Sequence, residues 1–167
     1  MSEFISRLVG ILMLKNGPQD MPAGVVAPTL ATGFYLVATA LSLSVGEGPE
    51  NPVGVLVLAV VLPLALVRIV LGLRGHTSRW GQTLTALFGT SGLLSLLSLP
   101  LAIAAGGGTE PNPVVTVASL VLFFWSFAVD GHIWRHALDA SFAVGLAVAV
   151  VLFAVSMYVI TSIAGPL

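Results

Sequence analysis

Residues 51–74 read NPVGVLVLAVVLPLALVRIVLGLR, and between Pro52 and Leu73 the only charged side chain is Arg68. A helix needs about 20 apolar residues to cross a hydrocarbon core about 30 Å thick, and this run supplies them. Asn51-Pro52 marks its start, Asn as the cap and Pro at the first helical position, where a missing N–H costs nothing. The long unbroken run is unlike the short alternating segments of a β-barrel, so it reads as helix.

Outward from this run the same pattern recurs along the chain. Spans are expected at about 22–45, 52–73, 83–105, 113–135 and 139–163. Asp20 is the expected N-cap of the first, with Pro22 in its first turn. The third closes in Gly106-Gly107-Gly108, the fourth opens on a second Asn-Pro pair at Asn112-Pro113, and the fifth stops at Gly165-Pro166. Pro63 and Pro100 fall inside spans two and three and predict kinks there. Composition agrees: of 167 residues, 57% are hydrophobic and 8% charged, where a soluble domain carries about 25% charged residues. The fold class is therefore all-α, a polytopic transmembrane helical bundle of about five spans in one membrane domain, 1–167.

Residues 3–14 (EFISRLVGILML) are apolar apart from Glu3, Ser6 and Arg7. The stretch is too short to span, so it either lies in the interface as a helix or packs on the end of the bundle. Lys15-Asn16-Gly17-Pro18 ends it, with Asn16 or Gly17 expected to take the left-handed cap. Met1-Ser2-Glu3-Phe4 lacks the basic start and cleavage site of a signal peptide, so the first span is expected to serve as an uncleaved insertion signal.

All six basic residues (Arg7, Lys15, Arg68, Arg74, Arg79, Arg135) fall on one side of this layout, while the opposite loops carry Glu47, Glu50 and Glu110. The positive-inside rule then places the N-terminus in the cytoplasm and the C-terminus outside, in a bacterial inner membrane. Arg68 can snorkel to that interface, where Trp80 and Trp134 fit an aromatic belt. The segments GPENPVGVL (48–56) and GTEPNPVVT (108–116) align at an offset of 61, which also pairs Arg74 with Arg135. A parallel repeat of two hairpins, spans two–three and four–five, is one reading. The common chemistry of tight turns is the other.

Chemistry is sparse. A net charge of −1 gives no basic surface for nucleic acid, and with no cysteine there is no disulfide, thiolate metal site or cysteine nucleophile. The densest polar stretch is DGHIWRHALD (130–139). If the helix continues through it, His132, His136 and Asp139 share one face at spacings of four and three, a set that suits a divalent metal, with His76 as a fourth ligand. The alternative is turn chemistry in the headgroup zone, Arg135 pairing with Asp139 and Asp130 neutralising Arg68 or Arg74. The stretch RGHTSRWGQT (74–83) offers Arg74, Arg79 and Trp80 as contacts for anionic lipid, or simply a positive loop before a capped helix. Past the boundary residue Asp139, spans one, three and five hold no Asp, Glu, Lys, Arg or His, and Arg68 and Asp130 lie near one end of theirs. Small residues recur at four-residue spacing instead: Ser141, Gly145 and Ala149; Thr85 and Gly89; Ser91 and Ser95. Such faces suit bundle interiors or a dimer contact.

LKNGPQDMP (14–22), QTLTALFGT (82–90) and GHIWRHAL (131–138), with five spans, resemble a group of small bacterial inner-membrane proteins. The layout is also similar to the Yip family of five-span membrane adaptors. Neither resemblance implies a catalytic residue or a cofactor. Together these features lead to an expected non-enzymatic accessory or scaffold subunit, working through helix–helix contact with the bilayer, other membrane proteins or itself. The alternatives are a small transporter or channel built on kinked spans two and three, and a metal-binding enzyme or sensor centred on His132, His136 and Asp139.

Overall fold

The structure, a computed structural model, describes residues 2–45, 48–106 and 112–165. Glu47, Glu110, Gly107-Gly108, Pro166 and residues 108–111 of the second repeat copy lie outside them.

Among the described residues six α-helices follow one another: α1 (Ser2–Leu12), α2 (Val26–Leu43), α3 (Pro52–Leu73), α4 (Trp80–Gly106), α5 (Pro113–Ala137) and α6 (Phe142–Ala164). The last five are long and apolar enough to cross a membrane. Both Asn-Pro starts form as the sequence predicts, with Asn51 accepting from the Gly54 N–H at 2.9 Å and Asn112 from the Val114 N–H at 3.0 Å. The start of α2 differs from expectation. Asp20 does not cap it; its carboxylate accepts from the Gly17 N–H at 2.8 Å inside a short 3₁₀ turn, Pro18–Asp20. The chain then runs non-helically through Gly24, at φ 104°, and α2 begins at Val26 with no side-chain cap. Pro28, not Pro22, occupies its first turn.

The five long helices close a ring: α2 packs along α4, α4 on α5, α5 along α6, α6 on α3, and α3 returns to α2 and α4. Between α5 and α6 backbone meets backbone. A Cβ at Gly145 would fall 2.2 Å from the Gly131 carbonyl oxygen, and one at Gly131 would fall 3.0 Å from the Leu146 Cα. Glycine at both positions lets the two backbones touch, which in lipid substitutes close packing for the hydrophobic effect. At the offset of 61 the equivalent positions are Val70 and Leu84. Their side chains forbid the same approach, and α3 packs more on α6 than on α4. The two hairpins therefore share their Asn-Pro starts and not their packing.

α1 is docked on the bundle. Leu8, Ile11 and Leu12 are buried with Met21 against Ala86 of α4 and Val129 and Ile133 of α5. Gly89 leaves the notch for Leu8, whose Cδ2 would lie 2.5 Å from a Cβ there. The indole of Trp125 donates to the Leu12 carbonyl at 3.1 Å, and the His132 Nε2 lies 2.9 Å from the Asn16 carbonyl oxygen. The left-handed residue that ends α1 is Leu14 (φ 58°), not Asn16 or Gly17. Leucine tolerates this costly conformation because it turns the chain so that Leu14 packs under α1 and Asn16 reaches His132.

Gly145→Val is expected to destabilise the bundle by about 1–3 kcal/mol through overpacking. Gly33→Ala, where a Cβ meets nothing within 4 Å, should be neutral or slightly stabilising. Unfolding of both variants in mixed micelles checks this, and equal effects would remove the account of the α5–α6 seam.

Candidate functional site

The end of the bundle that holds the basic residues also collects the residues singled out in the sequence. α5 stops at Ala137, so Asp139 does not continue the helical face of His132 and His136. Asp139 instead takes the left-handed position (φ 50°) of the turn, and the Ala140 N–H bonds back to the Arg135 carbonyl at 2.9 Å. Its carboxylate pairs with Arg79 at 2.8 Å. Arg79 also donates to the carbonyls of His136 and Ala137, each at 3.1 Å. One guanidinium thus caps the open carbonyls of α5 and neutralises the residue that ends it. Arg135 is not the partner of Asp139.

The His132 and His136 rings meet edge to face with centroids 4.7 Å apart. His132 is buried and held to Asn16, while His136 lines a small cleft with Pro18, Gln19, Arg79, Gln82 and Asp139. His76 sits at the start of the Thr77–Arg79 turn and its N–H closes the end of α3 on the Leu71 carbonyl at 2.8 Å. Among the described residues no three His, Asp or Glu side chains are grouped so as to hold a metal ion. The four proposed ligands are brought to one end of the molecule, not to one point. Of the proposed lipid contacts, Arg79 is committed to α5, Arg74 is an exposed C-cap, and Trp80 donates its indole N–H to the Leu64 carbonyl at 3.3 Å.

Asp130 behaves differently from its expected role. The ion pairs among the described residues are Glu3–Arg7 and Arg79–Asp139, so Asp130 neutralises neither Arg68 nor Arg74. It lies seven residues inside the end of α5, about 10 Å along the helix, and faces a cavity of about 210 Å³ at the centre of the ring. Each of the five long helices contributes a wall: Tyr35 from α2, Pro63 from α3, Ser91 from α4, Asp130 from α5 and Ser156 from α6. A second cavity of about 450 Å³ shares Tyr35, Ser91, Asp130 and Phe153 and leads away from the basic end past Ser95, Ser126, Ser98 and Ser119. Towards the basic end the passage is closed by the core of Trp134, Phe88, Leu84, Leu71 and Leu138.

The hydroxyls give this cavity a sign. Ser98 donates to the Ser95 carbonyl at 2.9 Å and Ser126 to the Phe123 carbonyl at 2.7 Å. A serine whose proton is spent on its own helix offers only lone pairs to the cavity. Ser98 and Ser126 thus present lone pairs in a lining that also holds the Asp130 carboxyl and no basic side chain. One turn from Tyr35, Thr39 Oγ1 is the buried side-chain polar atom without a hydrogen-bond partner among the described residues.

Sequence reasoning placed Ser91 and Ser95 in a packing face and Asp130 in a turn. The signal for the cavity was present as two stripes, Ser91-Ser95-Ser98 at spacings of four and three, and Ser119-Ser126-Asp130 at seven and four. Each stripe marks one face of a helix. That the two faces meet is visible only in the fold. No family model, curated protein or solved structure matches the chain.

The hydrogen bond from Arg79 holds the Asp139 carboxyl below the ordinary carboxylate range, with the charges of Arg79, His76 and His136 acting the same way. A depressed native value means that the tie is fully present above the unfolded aspartate value, about 3.9, and is lost as pH falls through the native one. Carbon-detected NMR should place the Asp139 titration below that of a free aspartate and move it up in Arg79→Gln. An unchanged titration would show that Arg79 does not hold this turn.

Proposed function

We propose that the chain is a small transporter or channel of a bacterial inner membrane, with its basic end in the cytoplasm, whose central cavity accepts a proton or a small cationic solute. The observation that carries this reading is Asp130, an acid without a basic partner facing a serine-lined cavity walled by all five long helices. In lipid an ionisable residue at this depth normally faces a pathway or a partner. A carboxylate there needs a counter-charge, which a proton or a bound cation supplies. Pro63 sits in the cavity wall, where an unsupported helix turn lets α3 bend.

The accessory-subunit reading was motivated by the lack of ionisable groups at depth and by the small-residue faces. Asp130 now supplies such a group, Gly131, Gly145 and Ala149 are used inside the bundle, and Ser91 and Ser95 line the cavity. The cytoplasmic orientation is supported by all six basic residues belonging to one end. In it, the cavity opens towards the outside and is closed from the cytoplasm by the Trp134 core.

Proteoliposomes carrying an internal pH dye, given a proton gradient, an alkali-cation gradient or a methylammonium pulse, test the proposal. Flux is expected, largely lost in Asp130→Asn, which cannot carry the charge, and partly retained in Asp130→Glu. Absence of flux for all three species, or flux unchanged in Asp130→Asn, would overturn it.

A further inference from the structure

Another cavity is separate from the central one. It measures about 670 Å³, lies between the start of α2, the end of α3 and the start of α4, and has a polar rim over an apolar floor. Arg68 forms the rim together with the hydroxyls of Thr77 and Ser78. The Arg68 guanidinium lies over the Trp80 ring, 5.9 Å from its centroid, and the Trp80 indole is itself fixed to the Leu64 carbonyl. The ring is thus a rigid shelf that holds the guanidinium at the cavity mouth by cation–π attraction while leaving its N–H edges free to donate. Neither ion pair among the described residues uses Arg68.

The floor is made by Leu36, Leu64 and Leu84, with Gly33 above open space where a side chain would otherwise stand. Arg68 lies five residues inside the end of α3, about 8 Å along the helix, from where its long side chain reaches the headgroups by snorkelling. A cation and two hydroxyls at that level, above an apolar slot running deeper between helices, match one kind of molecule: an amphiphile with an anionic phosphate and an alkyl chain.

We infer that this cavity is a site for an anionic phospholipid, its phosphate on Arg68, Thr77 and Ser78 and its chain in the slot beside Gly33. The site differs from the loop arginines to which sequence reasoning assigned lipid contact, because Arg79 is spent on α5 and Arg74 stands outside the cavity. It is also independent of transport through the Asp130 cavity. Guanidinium and hydroxyls recognise a phosphate whether it belongs to a lipid or is free in solution, so the test separates the two.

The protein is placed in phosphatidylcholine nanodiscs doped with equal mole fractions of bromine-labelled phosphatidylglycerol or bromine-labelled phosphatidylcholine, and quenching of tryptophan fluorescence is followed. The anionic quencher should be preferred about five-fold, the size expected of one arginine at a membrane surface. Arg68→Gln should abolish the preference, Arg68→Lys should keep part of it, and Arg74→Gln should leave it unchanged. Gly33→Leu, which fills the slot without meeting protein at its Cβ, should weaken quenching while the fold, followed by circular dichroism, is kept. Equal quenching by both lipids, or a preference that survives Arg68→Gln, overturns the assignment. Loss of the preference on adding millimolar inorganic phosphate also overturns it, in favour of a site for soluble phosphate.

Discussion

At Gly145 the backbone of α6 rests on the backbone of α5, with no room for a single methyl group between them. In lipid there is no water to expel from between helices, so contact of this kind, and not apolar area, decides which helices pair. Gly131 is the facing residue, and Asp130 is its neighbour. Once α5 turns Gly131 towards α6, the position before it is rotated by about 100°, towards the middle of the ring. The location of the one acidic side chain inside the spans thus follows from two glycines that carry no chemistry. Ser126, one turn away on the same side of α5, is carried into the cavity with it.

The basic end obeys a different constraint. Every helix that stops there leaves carbonyl groups without partners, at a level where water is scarce. The chain meets this in two ways. α3 closes on itself, with Gly75 at φ 75° and the His76 N–H returning to Leu71. α5 uses the left-handed Asp139 and borrows the Arg79 guanidinium from the neighbouring turn. Asp139, from the stretch with the most conspicuous chemistry in the sequence, thus serves with Arg79 to finish a helix. Asp130, the member of that stretch farthest from the end, has no such work and faces the cavity instead.

How far the sequence could be read depended on whether a feature was local. Both Asn-Pro starts are complete within four residues, so their helices begin where the sequence places them, at Pro52 and Pro113. The start of α2 was misplaced because Asp20 has two possible uses, and the nearer one, the Gly17 N–H three residues back, prevails. α1 could lie flat or dock by its own amphipathic pattern. What decides is Gly89, some 80 residues later, whose missing side chain makes the notch for Leu8. The metal reading failed to assemble for a similar reason: it needed the helix to run on through Asp139, and a long-range partner, Arg79, stabilises the stop instead. The central cavity was legible as two polar stripes and not as a site, since nothing along the chain says that α4 and α5 turn those stripes towards each other.

The two large polar features of the bundle are complementary in charge, and their placement bears on how the molecule would work. The central cavity presents carboxylate and hydroxyl oxygens and excludes basic groups, whereas the peripheral one presents a guanidinium and opens at the headgroup level. α3 is common to both, with Pro63 in the wall of the first and Arg68, five residues on, at the mouth of the second. The Trp80 indole, at the start of α4, is bonded to the Leu64 carbonyl just beyond the proline, so α4 braces the segment of α3 that separates the two features.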